Sequence, residues 1–200
     1  MVLVGIDGAG KSTAARLLRD RILPSGGRAL LLQNYAGRRT ISTWCARHHV
    51  QLPPGFVDAV ETLVRIGHVL VSHVRASRFD GLVLMDRHLH CQLALRTVYG
   101  LPRGRLLPWL LRHLPQPDVV VFFDISPHQA QARIKHRGTD QESLKFLTAF
   151  DAAYRALPEH PTFATVAAGG TLSETTDQLV ELLAVHSLLP HPTPRALRRK

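Results

Sequence analysis

Gly5-Ile6-Asp7-Gly8-Ala9-Gly10-Lys11-Ser12 lies at the start of this 200-residue chain, and its reading decides the fold. The stretch fits G-x-x-x-x-G-K-[ST], the pattern of a phosphate-binding P-loop. Its surroundings fit as well: the apolar run Val2-Leu3-Val4 precedes it, and a helix-patterned segment from Thr13 to Ile22 follows. Glycines at 5, 8 and 10 let the backbone turn tightly and aim successive N–H groups at one point. The positive end of the following helix adds to that anion site. Gly8, Ala9, Gly10, Lys11, Ser12 and Thr13 are therefore the expected ATP-binding residues. Lys11 is placed to reach the β- and γ-phosphates, and the Ser12 hydroxyl is the expected protein ligand of Mg²⁺.

Outward from the loop, five short apolar runs read as strands: Val2–Gly5, Ala29–Gln33, Leu82–Met85, Val119–Phe123 and Ala164–Ala168. Most are continuous rather than alternating, as expected of strands covered on both faces. Helical patterns separate them. The first ends before the turn signal Pro24-Ser-Gly-Gly27, a short one spans Thr40 to about Val50, and a long one runs Phe56–Phe79. Others begin just after Asp86 and over Gly104–Leu114, Gln141–Leu157 and Ser173–Leu188, the last opening with Ser173-Glu174. Ser126-Pro127 signals a helix start, an N-cap followed by proline, and Gly138 ends that helix after Arg137. Alternation of strand and helix predicts an α/β fold with a five-stranded parallel sheet and right-handed crossovers. With the loop, this is a three-layer P-loop NTPase fold with helices on both faces. One domain over 1–189 is expected, with a lid at about 133–142 and a basic, disordered tail at 190–200.

Composition narrows the function classes. Hydrophobic content of 45 % and charged content of 20 % are ordinary for a soluble globular protein. No apolar run is long enough to span a membrane. Met1 stands directly before the first strand, which leaves no room for a cleavable signal, so the expected compartment is the cytoplasm. Cys45 and Cys91 supply neither a disulfide framework nor a C-x-x-C metal pattern. His88-x-His90-Cys91 reads as a helix start beside the active site rather than a metal site. The net charge of +10 is carried mainly by arginine, with lysines only at 11, 135, 145 and 200. A nucleic-acid footprint is one source of such charge, but a cleft handling two polyphosphates needs several arginines too. The expected partners are ATP and a nucleotide-like small molecule, not nucleic acid.

Ligands of an open parallel sheet collect beyond the carboxyl ends of the strands. The second strand ends in Gln33-Asn34-Tyr35, followed by Gly37-Arg38-Arg39; the third ends in Asp86-Arg87-His88 and the fourth in Asp124-Ile125-Ser126. These residues carry a family resemblance. Gly5 to Thr13 looks like the P-loop of thymidylate kinases, and Asp86-Arg87-His88 resembles that family's Asp-Arg-Tyr motif. Arg65-Ile-Gly-His68 resembles its Arg-x-x-His segment, at the spacing seen before that motif. Pro117 to Asp124, then Arg133-Ile-Lys-His-Arg137-Gly138, resembles its fourth strand and lid, and Glu142, Phe146, Phe150 and Tyr154 its following helix. The resemblance covers most of residues 2–185.

The family implies Mg²⁺-dependent transfer of the ATP γ-phosphoryl group to a nucleoside monophosphate, dTMP or a related nucleotide. Charge repulsion between donor and acceptor phosphates must be neutralised, so arginines do much of the work. The resemblance makes Arg87 the acceptor-phosphate clamp and Asp7 its orienting carboxylate, or a contact of the metal region. Arg38 or Arg39 would help hold that phosphate. Because position 9 is Ala, the lid is expected to supply a further cation, from Arg133 and Arg137. The expected catalytic set is Lys11, Asp7, Arg87, Asp86, Arg133 and Arg137. Arg38, Arg39, Glu61, Arg65, Arg87 and Gln92 are the expected acceptor-binding set. Family members are usually homodimers through helices flanking the third strand, and Phe56–Phe79 is apolar enough for that role.

The acceptor side departs from the family pattern. Glu61 stands where an aromatic usually stacks on thymine, Cys91 and Gln92 replace a small polar residue and an Asn or Thr, and Leu95 replaces a tyrosine. A carboxylate there needs hydrogen bonds from a ligand or an arginine partner, unless Glu61 merely faces solvent. Two rivals follow. One is a kinase of a nucleoside or specialised metabolite with a hydroxyl acceptor, which would need a general base. Asp86 or Glu61 would have to be that base, since no acid ends the second strand. The other is a non-catalytic P-loop protein binding nucleotide or nucleic acid, which would leave Asp86, Arg87 and the lid arginines without a role.

Overall fold

The computed structural model describes residues 1–34, 53–138 and 142–189. Five parallel strands form one sheet: β1 Val2–Val4, β2 Ala29–Gln33, β3 Leu82–Asp86, β4 Val120–Asp124 and β5 Ala164–Ala167, in the spatial order β2-β3-β1-β4-β5. The helices are α1 Lys11–Ile22, α2 Pro54–Ala76, α3 Leu89–Val98, α4 Leu106–His113, α5 Pro127–Arg137, α6 Leu144–Arg155 and α7 Leu172–Val185. All five strands expected from the apolar runs form, within a residue or two at each end. The central strands β1, β3 and β4 are largely buried, whereas β2 and β5 at the edges are partly exposed. This is why the central runs read as continuous apolar sequence. Val121, Phe122 and Phe123 of β4 join Leu3, Leu84, Phe150 and Tyr154 in the core.

Local chemistry explains the ends of the elements. Ser126 caps α5 by accepting from the Gln129 N–H, Pro127 occupies its first turn, and Gly138 closes it with φ 66°. The last helix starts earlier than its sequence signal. Thr171 is the N-cap, with a capping box to Glu174, so Ser173 lies inside α7. The reciprocal Thr171–Glu174 pair satisfies two N–H groups that Ser173 would have left open.

Helix α2 has the opposite amphipathicity to the one expected of a surface helix. Its buried stripe is Asp58, Glu61, Thr62, Arg65, Val69 and Ser72, with one apolar member. Phe56, Leu63, Val64, Leu70, Val71 and Val74 face outward. The expected apolar helix is therefore present, but its polar face points at the end of β2.

Strand order reverses at β1, whose neighbours are β3 and β4. The loop after β1 thus emerges between the carboxyl ends of two strands, the crevice where α/β sheets bind ligands. The expected Thr40–Val50 helix, residues 139–141 of the lid and the 190–200 tail lie outside the described residues.

Candidate active site

Residues 5–12 turn sharply between β1 and α1. Gly5, Gly8 and Gly10 have φ of 134°, 84° and 87°, values that favour glycine. Gly8 is needed twice over, since a Cβ there would collide with the Ala130 carbonyl of α5. Lys11 is buried within the loop's own curve, and its Nζ donates to Gly5 O at 2.8 Å and Ile6 O at 2.6 Å. Burial, then the nearby Arg87 guanidinium, lowers its pKa.

Ser12 Oγ donates to Asp86 Oδ2, joining α1 to the end of β3. Asp86 is buried, and its Oδ1 has no hydrogen-bond partner among the described residues. Hydroxyl and carboxylate side by side form an oxygen donor set. That set fits Mg²⁺, which takes few protein ligands and fills its octahedron with water and phosphate oxygens.

Asp7 forms an ion pair with Arg87 across the loop. Burial pushes the Asp7 carboxyl up, but Arg87 and Lys11 outweigh it and hold the group well below the usual carboxylate range. The same pair raises the pKa of Arg87. Arg87 itself adopts φ 73°, a left-handed conformation that costs a non-glycine residue roughly 1–2 kcal/mol. Its N–H donates to Leu3 O at 3.1 Å, and its carbonyl accepts from Asn34 Nδ2 at 2.7 Å.

A buried polar network faces this pair from α2 and α3. Arg65 Nε donates to Gln92 Oε1 at 3.1 Å, and Gln92 Nε2 donates to Asp58 Oδ1 at 2.9 Å. Arg96 bonds both oxygens of Asp58, at 3.2 and 2.9 Å from Nε. Glu61, one helical turn before Arg65, is only 2 % exposed, so it does not face solvent. Burial lowers the Arg65 pKa, and the Glu61 charge is among the groups that counter this. The carboxylates and guanidiniums of this cluster thereby balance each other, as buried charges must.

Behind Arg87, His88 Nε2 lies 3.2 Å from His73 Nε2, and the His88 ring sits against that of His90. Burial lowers the pKa of all three, that of His90 to about 4, so they are neutral near pH 7.

These observations invite comparison with known proteins. A model of the thymidylate kinase family matches residues 3–179. The chain belongs to the thymidylate kinase family. The thymidylate kinase of Xanthomonas oryzae pv. oryzae (strain PXO99A) is 32 % identical over 143 residues, 69 % of this chain and 61 % of that protein. The match therefore spans about three fifths of that relative's length. The thymidylate kinase of Xanthomonas euvesicatoria pv. vesicatoria (strain 85-10) is 29 % identical over 195 residues, 92 % of this chain and 84 % of that one. A solved thymidylate kinase from Candida albicans shares the fold, with a TM-score of 0.64 at 18 % identity, over 93 % of this chain and 91 % of that chain.

Within this thymidylate kinase fold, the residues expected from sequence fall into three groups. Lys11, Ser12, Asp86, Asp7 and Arg87 converge around the loop. Glu61, Arg65 and Gln92 converge on the α2–α3 side. The lid arginines separate: Arg137 is exposed at the end of α5, whereas Arg133 donates to the Ala168, Gly169 and Gly170 carbonyls at 2.8, 3.3 and 2.8 Å. Arg133 thus supports the loop after β5, close to Gly10. Arg38 and Arg39 lie outside the described residues. Sequence reading missed Asn34, Asp58, Ser72 and Arg96 as members of the site. One signal was available for Asp58 and Ser72, which share helical spacing with Glu61 and Arg65. Asn34 carried only the signal of its place at the carboxyl end of the second strand, and nothing local marks Arg96.

Proposed function

We propose that this chain transfers the γ-phosphoryl group of ATP to the phosphate of a nucleoside monophosphate, dTMP or a related nucleotide. The carrying observation is the half-buried guanidinium of Arg87, fixed by Asp7 at the phosphate-binding loop. A phosphate acceptor is already a nucleophile and mainly needs cations around it, whereas a hydroxyl acceptor needs a base. The end of β2 carries the amide Asn34 and no carboxylate, which supports the phosphate reading.

In this reading the loop N–H groups and Lys11 cradle the β- and γ-phosphates of ATP. Lys11 releases the Gly5 and Ile6 carbonyls and follows the γ-phosphoryl group as its charge redistributes. Ser12 and Asp86 would hold Mg²⁺, which supplies positive charge to the donor phosphates when bound. Arg87, kept charged and oriented by Asp7, clamps the acceptor phosphate in line with the donor. Arg65 and Gln92 orient the acceptor base, with Glu61 serving as charge partner to Arg65. Arg133 and Arg137 stand on the lid side, and Arg38 and Arg39 complete the acceptor phosphate's cations.

The outward face of α2 fits a second copy of the chain, giving a homodimer. Leu63, Leu70, Val71 and Val74 form an uncharged stripe with Gly67 in its middle, where a partner helix can approach closely. Leu63→Glu with Leu70→Glu is expected to yield monomers by light scattering; an unchanged mass would refute this interface. No helix among the described residues is long and apolar enough to cross a membrane, and the cytoplasm is the compartment proposed.

The decisive experiment measures ADP release from ATP and Mg²⁺ with a panel of nucleosides and nucleoside monophosphates. Turnover with one or more monophosphates is expected. Turnover with free nucleosides only would overturn the phosphate-acceptor reading in favour of a hydroxyl kinase. Salt-sensitive nucleic-acid binding without turnover would favour a non-catalytic role.

A further inference from the structure

Asn34 follows the last residue of β2 and is fully buried. Its four hydrogen-bonding groups reach four residues, two on α2 and two at the end of β3. Its N–H donates to Asp86 O at 3.0 Å, and its Nδ2 donates to Arg87 O at 2.7 Å. Its Oδ1 accepts from Ser72 Oγ at 2.7 Å, and its carbonyl accepts from Arg65 Nη1 at 3.4 Å. Ser72 and Arg65 lie on the buried stripe of α2, and Asp86 and Arg87 end β3.

We propose that Asn34 is a positioning residue for the transfer reaction, holding the acceptor-phosphate clamp Arg87 in register with the acceptor-side Arg65. This inference rests on the phosphoryl-transfer reading above. The left-handed φ of 73° at Arg87 is unfavourable by itself and must be held by its surroundings. The Arg87 N–H is taken by β1, and its carbonyl by the Asn34 side chain. A primary amide offers a donor and an acceptor from one rigid group. Here the acceptor is held by Ser72, which orients the donor toward Arg87. A carboxylate of the same size keeps the Ser72 contact but faces the Arg87 carbonyl with a second acceptor. A misaimed guanidinium costs transfer rate even when every site residue is present, because in-line geometry tolerates little displacement.

The test compares steady-state kinetics of wild type, Asn34→Asp, Asn34→Ala, Ser72→Ala, Arg87→Ala and the double variant Asn34→Asp/Arg87→Ala, each checked by thermal unfolding. Asn34→Asp and Asn34→Ala should lower kcat about tenfold or more and raise the acceptor KM. The KM for ATP should stay within about twofold, because the loop and Lys11 are untouched. The double variant should be no slower than Arg87→Ala, since Asn34 acts through Arg87. Multiplying losses in the double variant, or an unchanged kcat in a folded Asn34 variant, would overturn the proposal. If the Asn34 variants do not fold, Ser72→Ala reads the same contact more gently. It should lower kcat about threefold with the ATP KM unchanged, and no change in kcat would again overturn the proposal. Wild-type protein that phosphorylates no nucleoside monophosphate would instead sink the reading on which the inference stands.

Discussion

The two sides of the candidate site are built by different means. Around the loop, Lys11 bonds carbonyls five and six residues away, and glycines supply the turn. On the acceptor side, Arg65 reaches Gln92 across 27 residues, Gln92 reaches Asp58 across 34, and Ser72 and Arg96 reach partners 38 residues away. A backbone cradle tolerates little sequence change, because any bulk at Gly8 meets α5. A side-chain network can be rewritten one partner at a time if its charges remain balanced. Under the proposed function, this difference accounts for a donor motif that keeps its pattern beside an acceptor side expected from sequence to depart from the family's.

Lys11→Ala attacks the cradle and should have the largest effect. The loss expected in kcat is at least about 100-fold, with the fold retained because the loop glycines and the sheet are unchanged. Near-normal turnover in an ADP-release assay would refute the role given to the loop. Arg87→Ala attacks the junction of the two sides. Acceptor kcat/KM should fall by about 100-fold, while ATP binding measured by calorimetry changes little. Loss of ATP affinity with an intact acceptor KM would mean that Arg87 belongs to the donor side.

Asp58→Ala tests the network through stability. It leaves the half-buried Arg96 without its carboxylate and should cost about 2 kcal/mol in chemical denaturation. It also releases Gln92, so acceptor KM should rise while ATP KM holds. A loss below about 0.5 kcal/mol would mean that the pair is a surface-like contact.

Acid should act more weakly, from behind the acceptor side. His90 titrates near 6.5 when unfolded and is lowered to about 4 in the fold, chiefly by burial. The unfolded chain therefore binds the proton more readily, so stability falls as pH drops from 6.5 toward 4. His88 and His73 shift in the same direction. Unfolding midpoints measured between pH 7 and 4 should decline, and His90→Leu should make that slope shallower, by about 3 kcal/mol at the acid end at most. An identical slope in the variant would remove His90 from the acid response.

Much of the architecture was legible without coordinates. Among the described residues, apolar runs and helical spacing located each strand and the helices between them, since a strand covered on both faces must be apolar along its length. The loop was legible because its function resides in consecutive residues. Glu61 shows the boundary: its identity raised the question of a buried carboxylate, but only the packing of α2 showed that it is buried one turn from Arg65. Asn34 shows it more sharply. In sequence the residue is only one of several strand-end positions, and its four partners lie 31 to 53 residues away. Local sequence thus determined the loop after β1 and the sheet, where backbone geometry and burial are set by near neighbours. Tertiary structure alone decided the inward polar face of α2 and the convergence on Arg87. Those depend on which distant side chains the parallel sheet brings within hydrogen-bonding reach.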